Sequence, residues 1–132
     1  MIPAMTALSL GLRYFAGVFA VGFLLGTIRT LWLAPAIGDL AAVAVELPVM
    51  IGTSWWWSGR LLARQTLATG ERAMMGGSAF LLLMLAEFGL SQAFGRAPGV
   101  YWASFFTAEG VLGLAGQLVF AALPLIIKSA RP

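Results

Sequence analysis

Four apolar segments, each about 20 residues long, make up most of this chain of 132 residues. A helix of that length crosses the hydrocarbon core of a bilayer, which is about 30 Å thick. Hydrophobic residues make up 61% of the chain and charged residues 10%, a balance outside that of soluble domains. The sequence therefore predicts an all-α, integral membrane bundle of four transmembrane helices in one domain, 1–132, with helices at about 14–33, 37–57, 73–94 and 109–127.

The basic residues indicate how these helices are oriented, because Lys and Arg are enriched in the cytoplasmic loops of membrane proteins. Placing the N-terminus in the cytoplasm puts most of them inside, at Arg13, Arg60, Arg64, Arg72, Lys128 and Arg131. Arg96 then falls in the outer loop and Arg29 near the outer face. We therefore expect both termini to be cytoplasmic.

Composition favours the inner membrane of a bacterium. Seven of the eight basic residues are arginine, and Ala and Gly are abundant, as in proteins of high-GC bacteria. A cleavable signal peptide is disfavoured because the first apolar segment is long and contains Arg29. The expected partner is the lipid bilayer. The net charge of +3 does not predict nucleic-acid binding, because the basic residues are scattered at helix ends.

The chain contains no Cys and no His. This excludes disulfides, thiolate chemistry, imidazole metal ligands and His-based catalysis. The phosphate-binding GxxxxGK loop, the GxSxG elbow and the HExxH helix are also missing. The sequence therefore contains no recognisable catalytic motif, and it predicts no cofactor and no resident metal. An intramembrane enzyme with an unusual lysine- or carboxylate-based scheme is the third hypothesis.

Three ionisable residues lie inside the predicted helices: Arg29, Glu46 and Glu87. A charge in hydrocarbon costs roughly 2.5 to 3.5 kcal/mol on insertion scales, so it persists mainly where it is paired or functional. Asp39 and Glu46 are seven residues apart and share one face of the second helix, and Ser91 follows Glu87 by one turn. We predict a cluster of Arg29, Glu46 and Glu87 in the outer half of the membrane, with Asp39 at its mouth.

Such a cluster has functional and structural interpretations. It could bind or pass a proton, bind a small cation, or hold the phosphate of a lipid headgroup through the guanidinium. Pro48 frees the backbone carbonyl of Ala44, which could complete a cation or proton site beside Glu46. The alternative is a structural ion pair that fixes helix register, with the second carboxylate protonated.

Small residues recur at intervals of four in two helices, including Gly22 and Gly26 in the first and Gly113 and Gln117 in the fourth. Faces of this kind allow close helix packing. Within the monomer they predict a tight bundle. Between chains they would mediate a homo-oligomer or docking onto a larger membrane complex. The second hypothesis for function is therefore an accessory or assembly subunit whose ion pair is structural.

The run GFLLGTIRTLWLAPAIGDLAAVAVELPVMIGTSW, residues 22–55, resembles a pattern in small four-helix inner-membrane proteins of proteobacteria. No activity is known for that group, so the resemblance implies architecture alone. Fluoride channels do not fit because the chain has no Asn, and small multidrug exporters do not fit because the first helix carries Arg29 where they carry a glutamate. DoxX-like proteins share the architecture and a glutamate in the second helix.

Overall fold

A computed structural model describes residues 3–63, 67–93, 95 and 98–127. These residues form an all-helical protein with no strand among them, as the sequence predicts. The elements in chain order are α1 (Pro3–Ile28), a π turn (Arg29–Leu33), α2 (Ala34–Ile37), α3 (Asp39–Leu62), α4 (Thr69–Ala93), α5 (Pro98–Ala103), a 3₁₀ turn (Ser104–Phe106) and α6 (Ala108–Ile126).

Three helical segments are long and apolar enough to cross a membrane: Met5–Ile37, Asp39–Leu62 and Thr69–Ala93. The apolar part of the fourth, Gly110–Ile126, is shorter. The first helix begins at Pro3 rather than near residue 14. Its added turns bury Ala7 and Leu10 against the bundle, which explains why the helix extends beyond the apolar segment.

The first helix also continues past Pro35, where the sequence suggests a stop. Pro35 has no N–H to donate and its ring displaces the carbonyl four residues earlier. The helix accommodates it by widening into the π turn, where the Ala34 N–H donates to the Arg29 carbonyl. The chain reverses at Gly38, whose φ of 91° is accessible to glycine at little cost.

The four long helices form a ring in which each packs against two neighbours. Helix α1 contacts α3 and α4, and α6 contacts the same two helices. The Gly38 end of the bundle carries the α1–α3 turn together with α5. The opposite end, which we name the Arg72 end, carries the start of α1 and of α4 and the last turns of α3 and α6.

The core is closed across the ring by Tyr14 of α1 and Phe120 of α6. Their rings stack with centroids 4.2 Å apart, and the Tyr14 hydroxyl donates to the Phe120 carbonyl at 2.6 Å. That carbonyl lacks a helical donor because the residue four positions later is Pro124. Tyr14 therefore supplies the hydrogen bond that the proline removes.

Glycine permits the closest contact between α4 and α6. A Cβ at Gly76 would collide with the carbonyl of Ala121. Gly116 has the same role between α6 and α3, where a Cβ would meet the Leu47 side chain. The neighbouring Gly77 faces open space, with nothing in the described residues within 4 Å of its added Cβ.

Tyr14→Phe should lower the free energy of unfolding by about 1 to 3 kcal/mol, because it leaves the buried Phe120 carbonyl without a donor. In a Pro124→Ala background the new N–H at position 124 can bond that carbonyl. The cost of Tyr14→Phe should then be smaller. A double-mutant cycle of unfolding in detergent measures this difference. If Tyr14→Phe lowers the free energy of unfolding equally with Pro124 and with Ala at position 124, the Tyr14 hydroxyl does not replace the hydrogen bond that Pro124 removes.

Gly76→Ala should destabilise the bundle by about 1 to 3 kcal/mol through overpacking. Gly77→Ala is the matched control on the next residue. It should be neutral or raise stability by up to about 1 kcal/mol, because alanine favours the helix. Unfolding of both variants in the same detergent checks this contrast, and equal effects would show that α4 and α6 do not approach at Gly76.

Candidate functional site

Each long helical segment contributes one polar side chain to the same level of the bundle. These are Arg29 in the π turn that continues α1, Glu46 in α3, Glu87 in α4 and Gln117 in α6. All four lie about 9 to 14 Å from the Gly38 end of their helices, at a rise of 1.5 Å per residue. We call these four residues the polar layer.

Arg29 and Glu46 form an ion pair between α1 and α3. Arg29 Nε donates to Glu46 Oε2 at 2.9 Å. The Arg29 side chain is 33% exposed and that of Glu46 is 16% exposed. The guanidinium engages this carboxylate through Nε, and its two terminal nitrogens bond to no other described residue. The pair therefore leaves guanidinium donors without a partner among the described residues.

Glu87 and Gln117 form the second link, between α4 and α6. Gln117 Nε2 donates to Glu87 Oε1 at 2.6 Å. Both side chains are half-buried. The second carboxylate oxygen of Glu87 accepts no hydrogen bond from the described residues. Glu87 thus has a neutral donor rather than a cation as its direct partner.

The polar layer has unequal charges. Glu87 lies close enough to Arg29 and Glu46 to interact electrostatically with both. One guanidinium faces two carboxylates, so the layer carries one net negative charge when all three groups are ionised. Because Arg29 is committed to Glu46 by a direct hydrogen bond, the excess charge falls on Glu87.

The remaining predicted polar position, Asp39, lies apart from the polar layer. It is exposed in the first turn of α3, where a carboxylate interacts favourably with the helix dipole. The carbonyl freed by Pro48 does not complete a site at Glu46 either. Ala44 and Pro48 are exposed, and Ala44 lies about 200° around α3 from Glu46.

The predicted packing residues have different surroundings. Gln117 belongs to the polar layer, and a Cβ at Gly22 would contact the flexible Met50 side chain. At Gly26 an added Cβ would approach the Arg29 guanidinium. At Gly113 it would meet nothing within 4 Å in the described residues. The close contacts within the monomer occur instead at glycines such as Gly76 and Gly116.

Arg72 has a structural role that its position in a basic loop did not reveal. Its Nη1 donates to the carbonyl of Pro124 at 3.1 Å and to the carbonyl of Ile127. These carbonyls are at the C-terminus of α6, where the helix leaves acceptors unpaired and a cation is favourable. In the sequence, Arg72 is an arginine near the start of a predicted helix. That position does not identify α6 as the helix whose last carbonyls Arg72 binds.

Comparison with known protein families, curated proteins and solved structures finds no match for the chain. The chemistry available to the polar layer is therefore inferred from its four side chains. A guanidinium, two carboxylates and an amide can hold a proton or a hard cation. Without imidazole or thiolate they do not suit zinc or copper.

Arg29→Gln should destabilise the protein more than Glu46→Gln, because it leaves two carboxylates without a cation. We expect about 1 to 3 kcal/mol for Arg29→Gln, below the cost of a fully buried pair because Arg29 is one-third exposed. The double variant should recover part of the loss. Unfolding in detergent measures these values, with Asp39→Asn as the control that should match the parent protein. If Arg29→Gln does not lower the free energy of unfolding, Arg29 does not stabilise the carboxylates of the polar layer.

Proposed function

We propose that this chain is a four-crossing integral membrane protein whose polar layer binds a proton or a small cation within the membrane. Its surface supports the first part of the proposal. Large apolar side chains are exposed along every long helix, including Phe23, Leu24, Val45, Val49, Leu81, Leu85, Val111 and Leu118. Such a surface is unfavourable in water and suits contact with lipid.

Aromatic side chains at the two ends support a bilayer position. Trp32, Trp102 and Phe106 are exposed at the Gly38 end, and Trp55 and Trp56 are exposed toward the Arg72 end. Tryptophan is enriched at membrane interfaces. Along α3 the distance from its first residue to these tryptophans is about 26 Å at 1.5 Å per residue. That spacing is close to the thickness of a hydrocarbon core.

The basic residues within the described part of the chain favour a cytoplasmic position for the Arg72 end. Arg13, Arg60 and Arg72 lie toward that end, and Arg60 packs over the Trp56 ring at 5.4 Å. The other residues used for orientation, Arg64, Arg96, Lys128 and Arg131, lie outside the described residues. We therefore propose a bacterial inner-membrane protein with the polar layer in the periplasmic half and both termini in the cytoplasm.

The single observation that carries the functional proposal is the charge imbalance of the polar layer. A half-buried carboxylate whose direct partner is an amide is costly to keep ionised in an apolar environment. Glu87 therefore takes up a positive charge from outside the chain, as a proton or as a small cation. A lipid phosphate at Arg29 would increase the negative charge and is disfavoured for that reason.

The surroundings favour binding over free passage. From the polar layer toward the Arg72 end, the bundle is filled by buried apolar side chains such as Val18, Ala79, Leu83 and Phe120. In the polar layer itself, Arg29 is one-third exposed. The Gly38 end lies about 9 Å from Glu87 along α4, so the species bound at Glu87 is exchanged from that end.

An accessory subunit of a larger membrane complex, or a homo-oligomer, is the second candidate. Outward-facing glycines support it: added Cβ atoms at Gly52, Gly77 and Gly89 would meet nothing within 4 Å in the described residues. An open apolar groove of ≈ 490 Å³ also lies between α3 and α6, lined by residues that include Leu40, Phe106 and Val111. In this case the ion pair would be structural.

Infrared difference spectroscopy of the protein in nanodiscs tests the proposed function. The C=O stretch of a protonated carboxyl should appear as pH falls, or disappear as a cation is added, and should be absent from Glu87→Gln. Asp39→Asn is the matched control and should retain the signal. If no carboxyl signal at position 87 responds to protons or cations, the layer binds neither and the accessory-subunit hypothesis is favoured.

A further inference from the structure

We infer that Glu87, Ser91 and Gln117 together form a site for a singly charged metal cation of the sodium class. This inference rests on the proposed function of the polar layer and specifies its ligand. It adds Ser91 to the site, and it gives the oxygen of Gln117 a role separate from that of its amide nitrogen.

Ser91 is the first independent observation. It lies one helical turn beyond Glu87, on the same face of α4 and toward the Gly38 end. This residue is 9% exposed, and its hydroxyl oxygen has no hydrogen-bond partner among the described residues. A buried hydroxyl without a partner is unfavourable, since its hydrogen bonds to water are lost and not replaced. Such a group next to a carboxylate indicates a missing ligand.

Gln117 provides the second observation. Its Nε2 is committed to Glu87 Oε1, which fixes which end of the amide faces the carboxylate. Its Oε1 is buried and accepts no hydrogen bond from the described residues. While Glu87 is ionised, exchanging the two ends of the amide would place an oxygen against a carboxylate oxygen, which is repulsive. The unpartnered acceptor is therefore a property of the site with Glu87 ionised.

These groups favour a metal cation over a proton. A proton on Glu87 would neutralise the carboxylate and, with the amide turned over, would give the Gln117 oxygen a donor, but it would supply nothing to the Ser91 oxygen. A cation would interact with the carboxylate, the amide oxygen and the hydroxyl oxygen, the ligand types that hard ions prefer. A single charge suffices, because the polar layer has one net negative charge.

Gln92 does not belong to this site. Its Nε2 also lacks a partner in the described part of the chain, but it is a donor and cannot bind a cation. It lies about 140° around α4 from Glu87. The oxygen atoms that suit a cation are thus on the face of α4 that carries Glu87, while the unpartnered donor is on another.

Thermal unfolding in NaCl against choline chloride, at equal ionic strength and in one detergent, tests the inference. Sodium should raise the Tm of the parent protein in a saturable manner, because a ligand that binds the folded state stabilises it. Ser91→Ala should weaken the apparent sodium affinity by roughly tenfold or more. In choline chloride this variant should be at least as stable as the parent protein, because the unpartnered hydroxyl is gone.

Two further variants make the test specific. Ser91→Thr retains the hydroxyl oxygen and should retain the sodium response. Ser78→Ala is the control in the same helix, since Ser78 Oγ already donates to the Met75 carbonyl at 3.1 Å. It should alter the Tm equally in both salts. If the parent protein has the same Tm in sodium and choline, or if Ser91→Ala responds to sodium as the parent does, the inference is wrong.

The infrared experiment separates failure of this inference from failure of the proposed function. If the protonated-carboxyl signal of Glu87 responds to pH but not to sodium, the polar layer binds a proton alone. The proposed function then stands and the cation site does not. If neither protons nor sodium change that signal, both are overturned.

Discussion

Where a helical hydrogen bond is interrupted in this bundle, another group of the chain replaces it or pairs with the freed carbonyl. Pro35 removes a helical hydrogen bond, and the backbone responds with a π turn that re-pairs the Arg29 carbonyl with the Ala34 N–H. Pro124 removes another, and the Tyr14 hydroxyl replaces it from a different helix. The same requirement explains why Arg72 reaches the last carbonyls of α6. The helices are thus linked to one another where their own hydrogen bonding is interrupted.

The polar layer follows the same rule with one departure. Arg29 satisfies Glu46, and Gln117 satisfies one oxygen of Glu87, so each pair joins two neighbouring helices of the ring. The hydrogen bonds are therefore those expected of a purely structural layer. The charges are not balanced in the same way, because Glu87 has no direct cationic partner among the described residues. Oxygen atoms of Ser91 and Gln117 that have no partner among the described residues occur beside that carboxylate. The Arg29–Glu46 pair alone would leave no such excess charge.

Sequence alone was enough for the features that depend on composition and length. Apolar segments of bilayer length predicted an all-helical protein, and the rarity of charges drew attention to Arg29, Glu46 and Glu87. Features that depend on which helices are neighbours were not predictable in this way. Gly113 and Gly116 look alike in sequence, yet an added Cβ would meet Leu47 at position 116 and nothing among the described residues at position 113. The pairing of Tyr14 with the carbonyl freed by Pro124 spans most of the chain and has no local signal.

The position of the polar layer limits what the protein can do with a bound charge. In the polar layer itself, the Arg29 side chain is one-third exposed. Toward the Arg72 end, Leu83 and Phe120 are buried and the Tyr14 ring stacks across the ring of helices. A cation that loses its hydration shell among such side chains faces a large energetic barrier. Under the proposed function, exchange from the Gly38 end is therefore favoured, and passage to the Arg72 end would require the helices around Tyr14 to repack. If the polar layer binds a charge as we propose, transport would need a second conformation in which the apolar half opens.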